Sequence, residues 1–145
     1  MSASRTVLLV PLHPAKILYQ VPVLLILLLI RQPALHAQAF LLGDGGAVIN
    51  NVCNGVLVEP GGYDDYPPDQ DVVQTLCASS GQCLRFTVTE FETEQDFDLL
   101  SIYDGSATTA ELLFTHSGNM PPNTVITSTT NSGGCLTFHF ESDGF

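Results

Sequence analysis

Three carboxylates, Glu92, Asp98 and Asp143, stand where alternating segments begin or end. Three negative groups brought to one edge repel one another unless a cation neutralises them. Hard oxygen donors from several loops suit Ca²⁺, which takes roughly 6–8 of them, better than Mg²⁺, whose octahedral shell is stricter. The same residues also suit a solvated acidic loop. The cysteines Cys53, Cys77, Cys83 and Cys135 form a second set. None of their spacings is C-x-x-C, which argues for disulfides over a metal–thiolate centre. His116 and His139 lie outside any H-E-x-x-H run, no G-x-S-x-G is present, and His139 reads as a surface residue. Gly43-Asp-Gly-Gly46 lacks the strand, lysine and helix of a phosphate loop. No catalytic residues are assigned. Tyr63 and Tyr66 read as loop packing or an exposed aromatic patch.

The elements that would position these groups are strands. Val72–Leu76, Gln82–Phe91, Phe97–Tyr103, Leu112–Thr115, Val125–Thr129 and Cys135–Glu141 are short, mostly alternating, and separated by Gly, Pro, Asn and Asp. The predicted fold is all-β, an antiparallel β-sandwich. Its predicted inward residues are Leu84, Phe86, Val88, Leu100, Ile102, Leu113, Ile126, Leu136, Phe138 and Phe140. The end of 82–91, the start of 97–103 and the end of 135–141 can share one rim, which would gather Glu92, Asp98 and Asp143. Side chains alternate with period 2, so Cys83 and Cys135 both fall on polar strand faces. That parity predicts a Cys83–Cys135 bridge and leaves Cys53 to pair with Cys77.

The beginning of the chain reads as an address. Arg5 and Lys16 precede the apolar run Val21–Ile30, and small residues follow through Ala37 and Ala39. The order of charge, apolar core and small residues predicts a secretory signal peptide over 1–37. The run is about half a membrane crossing, so no span is expected after cleavage. Residues 38–52 read as a flexible lead-in and 53–145 as the domain. An even cysteine count behind an export signal implies an oxidising compartment, secreted or at the cell surface. All fifteen acids lie at or after Asp44, against the single base Arg85 in that stretch. A chain so acidic lacks the basic footprint of a nucleic-acid binder.

The stretch Cys83-LRFTVTEFETEQDFDLLSIYDG-Ser106, with its Tyr103-Asp104-Gly105, and the later Phe140-Glu-Ser-Asp143 phrase resemble a CUB domain. Tyr66-Pro67 resembles the family's Tyr-Pro after the first cysteine. The cysteine arrangement is similar to that of CUB-like modules in secreted bacterial multidomain proteins. The resemblance implies a CUB-like jelly roll lacking its last strand, because a full domain continues into a closing strand beyond Ser-Asp-Gly. It also implies Glu92, Asp98 and Asp143 as direct Ca²⁺ ligands, with Tyr66 bracing the acids. The implied function is a secreted, non-catalytic binding or adhesion module for an extracellular protein bearing a basic group, or for carbohydrate. The alternative is a structural spacer or an accessory domain of a larger secreted hydrolase.

Overall fold

The computed structural model describes residues 38–145 apart from Tyr63, so the expected signal peptide lies outside the described residues. Among the described residues, nine strands run in chain order: β1 Gln38–Leu41, β2 Val48–Val52, β3 Gly55–Val58, β4 Asp71–Ala78, β5 Arg85–Thr87, β6 Leu99–Asp104, β7 Glu111–His116, β8 Val125–Thr127 and β9 Cys135–Glu141. They form a five-stranded sheet in the order β2-β4-β9-β6-β7 and two ribbons, β1-β3 and β5-β8. The pairings β4–β9, β6–β9, β6–β7 and β5–β8 are antiparallel, whereas β1–β3 and β2–β4 are parallel. The all-β sandwich expected from the alternation is therefore present. The stretch 38–52, expected to be a loose lead-in, instead carries β1 and β2. Phe40 and Leu42 are buried there and join the core, which holds the segment in place.

The core lies between the large sheet and the ribbons. Leu136, Phe138 and Phe140 of β9 are buried, as are Leu100 and Ile102 of β6. Phe86 of β5 meets Phe138 edge to face, with ring centroids 5.0 Å apart, and so ties ribbon to sheet. Leu113 departs from its expected inward position and is exposed. The β6–β7 register shifts between Ile102 and Tyr103, which pair with Phe114 and Leu112. Leu113 is the extra residue at that irregularity, and Phe114 packs against the core instead.

The expected disulfide pairing is corrected. Cys77 and Cys135 form the bridge, while Cys53 and Cys83 are exposed free thiols. Cys135 does stand on the face shared with Thr137 and His139, but its neighbour across the ladder is Cys77 of β4. The segment that holds Cys83 feeds β5, which pairs only with β8 in a separate ribbon. Face parity identified which side Cys135 occupies and could not say which strand lies next to it.

Candidate functional site

Antiparallel pairing gives the large sheet two distinct ends. At one lie Cys77, Cys135 and Asp104, and at the other Asp71, Leu99 and Glu141. Asp98 precedes β6 at this second end and is almost fully buried, at 1% exposure. A tight turn delivers it there: the amides of Phe97 and Asp98 donate to the Glu94 carbonyl. Asp96 holds a left-handed φ of 73° in that turn, and its amide donates to Ser117 Oγ at 2.6 Å. Ser117 Oγ in turn donates to the Glu94 carbonyl, and Thr93 Oγ1 to the Asp98 carbonyl.

The Asp98 carboxylate is held by two neutral donors. The Tyr66 hydroxyl donates to Oδ2 at 2.5 Å, and the Asp143 amide donates to Oδ1 at 3.0 Å. Tyr66 is steadied by an edge-to-face contact with Phe140 at 5.0 Å. Burial, then its bond to Asp98, pushes the Tyr66 hydroxyl up to about 12; the charges of Asp98 and Glu59 act in the same direction, while the Glu94 amide opposes them. Tyr66 is therefore a direct hydrogen-bond partner of the Asp98 carboxylate.

Asp98 and Asp143 meet through backbone and carboxylate. Glu92 lies one residue before Thr93, whose side chain reaches the Asp98 carbonyl. Glu92 itself is exposed and lines an open groove of about 300 Å³ with Glu90, Phe91, Asn119 and Met120. The three carboxylates do not close to within 4.8 Å of one another. Among the described residues, that spacing is reached by a different group, Asp71, His139 and Glu141.

The rim has further acids that sequence reading missed. Burial and then the Asp65 charge raise the Glu59 carboxyl above its ordinary value. The Asp69 amide donates to the Asp143 carbonyl at 2.7 Å, and Gly144 packs beside the Asp69 carboxylate. No periodic signal marks Glu59, Asp65 or Asp69, because they lie in loops whose return to the rim is a tertiary event. Asp71 and Glu141 could be found only with the β4–β9 register, which sets them directly opposite one another.

A Ca²⁺ ion, implied by the family resemblance, fits part of this donor set. The single Lys or Arg in residues 38–145 is Arg85. Asp98 is buried with a hydroxyl and an amide as its hydrogen-bond partners. A buried carboxylate without a cationic partner is costly, and a bound cation would offset that cost. Each Asp98 oxygen accepts one hydrogen bond and retains a further lone pair.

No family model matches the chain. It is similar to Tolloid-like protein 2 of Mus musculus, 30% identical over 93 residues, which cover 61% of this chain and 9% of that protein. Neuropilin-2 of Rattus norvegicus is 33% identical over 104 residues, 68% of this chain and 11% of the relative. Cubilin of Homo sapiens is 31% identical over 101 residues, 66% of this chain and 3% of the relative. The chain therefore spans about a tenth or less of the length of these relatives. All three are CUB-domain proteins, and together with the fold they show that this chain carries a CUB-like domain. That is the type of an extracellular binding module.

Proposed function

We propose that the chain is an exported, non-catalytic CUB-type module whose acidic rim takes Ca²⁺ and then receives a basic group of an extracellular protein. The observation that carries this reading is Asp98, a carboxylate buried at a rim crowded with acids and braced by Tyr66 and the Asp143 amide. Asp98, Asp143 and Glu92 would hold the ion, which supplies positive charge that orders the loops. Carboxylate oxygens not used by the metal then accept a charge-assisted hydrogen bond from an ammonium group, which favours a lysine-bearing protein over a neutral carbohydrate.

Calorimetry of the full chain with CaCl₂ tests the reading. Wild type is expected to bind, and Asp98→Asn, which keeps the side-chain shape and removes the charge, is expected to lose binding. Equal heats in the two proteins would remove Asp98 from the metal role. No calcium binding by wild type, with a melting temperature indifferent to chelator, would leave the spacer reading in place of the binding one.

A further inference from the structure

At the same end of the sheet, β4 and β9 place two carboxylates, Asp71 and Glu141, in direct register. Like charges directly opposite one another weaken an antiparallel pair. Arg85, the only Lys or Arg of residues 38–145, is not in contact with either: the group beside both is the imidazole of His139, where the register partner is Val73. Its Nε2 lies 2.8 Å from Asp71 Oδ1, and its Nδ1 lies 3.7 Å from Glu141 Oε2. A divalent cation held by one imidazole nitrogen and both carboxylates would offset the cross-strand repulsion.

We propose that Asp71, His139 and Glu141 form a second cation site, selective for a divalent transition metal of the Zn²⁺ type and separate from the all-oxygen rim. The donor atoms of the three residues lie within 4.8 Å of one another. Tetrahedral zinc, with bonds of about 2.0–2.2 Å, needs its donors about 3.4 Å apart. Small side-chain rotations reach that spacing, since Asp71 and Glu141 have exposed side chains while His139 is anchored with only 18% of its side chain accessible. One nitrogen and two carboxylate oxygens suit zinc, and water would complete its shell. Ca²⁺ prefers oxygen alone and is disfavoured by the imidazole. The site is built on two hydrogen-bonded strands whose far end is clamped by the Cys77–Cys135 bridge, so its backbone spacing is set before any metal arrives.

The test is calorimetry of the full chain with ZnCl₂ and, separately, CaCl₂, after alkylating the exposed thiols of Cys53 and Cys83 so that they cannot bind zinc. His139→Ala is expected to weaken zinc binding by roughly 10–100-fold or more, as losing a ligand costs at least what losing its outer partner does. The calcium response should be unchanged in that variant. Asp98→Asn is expected to do the reverse, which separates failure of this site from failure of the rim. Asp71→Asn, at an exposed position, serves as the second variant should His139→Ala fold poorly. Zinc binding equal to wild type in either variant, or no zinc binding by wild type, overturns the proposal.

Discussion

The two ends of the five-stranded sheet each hold a buried aspartate, Asp98 just before β6 and Asp104 at its last position, and the two are treated differently. Asp104, at the disulfide end, accepts from the Thr129 amide at 2.9 Å, from Thr129 Oγ1 at 2.8 Å and from Ser132 Oγ at 2.5 Å. Burial raises its carboxyl, but these three bonds outweigh that effect and hold it below the ordinary value. Asp98, at the rim end, has a single amide and a single hydroxyl. The donors on Asp104 pin the 129–132 turn against the sheet, a structural task, whereas Asp98 retains acceptor capacity among other acids. The count of donors, more than burial, separates a carboxylate that holds the fold from one available to a ligand.

The comparison breaks most readily at the disulfide end. Cys135→Ser opens a bridge that spans 58 residues of sequence, and a loss of about 2–5 kcal/mol is expected in urea unfolding. Cys83→Ser, an exposed thiol, should stay within about 0.5 kcal/mol of wild type. Equal losses in the two would restore the pairing expected from strand parity.

Asp104→Ala comes next. It removes the shared acceptor of three hydrogen bonds at a part-buried site, and a loss of about 1–3 kcal/mol is expected in the same assay. Because the folded carboxyl lies below its ordinary 3.8, its stabilisation is present above that pH and disappears as pH falls through the lower folded value. Wild type should therefore lose stability below about pH 4 more steeply than Asp104→Ala. A parallel acid limb would mean that the hydrogen bonds do not favour the ionised form.

Asp98→Asn should cost less, about 1–2 kcal/mol without metal, because fewer donors depend on it. Its larger effect is loss of any calcium-dependent rise in melting temperature. Tyr66→Phe is the smallest change, about 1 kcal/mol at neutral pH, from losing the bond to Asp98 and the longer one from the exposed Glu94 amide. The Tyr66 hydroxyl is raised from 10.0 to about 12, so its contribution is whole below about pH 10 and is lost as pH rises toward about 12. The stability difference between wild type and Tyr66→Phe should shrink over that window. A constant difference would separate the Tyr66 ionisation from folding.

Some of this was readable in the residues alone. The alternation of Cys135–Glu141 marked β9 and its buried Leu136, Phe138 and Phe140, because residues on one face of a strand recur every two positions; that Cys135 and Thr137 on the other face are buried as well was not marked. Asp98 and Asp143 were legible as rim acids because strand ends mark rims, and Tyr66 because its phrase resembles a family pattern. Residues 38–52 were not, since β1 and β2 pair in parallel with strands not adjacent to them in sequence, a pairing without a hairpin signal. Glu92 was placed with the other two acids by strand-end logic, yet rim membership does not say where a long, exposed side chain points.

What the amino-acid order determined was therefore periodicity: strand character, the faces of those strands, the acidity of residues 38–145 and the even set of thiols. Tertiary structure decided adjacency. It chose β4 as the neighbour of β9, and with that choice came both the Cys77–Cys135 bridge and the meeting of Asp71, His139 and Glu141. A period of two is a local property of the extended backbone, whereas the neighbour of a strand is set by burial of apolar surface from segments far apart in the chain.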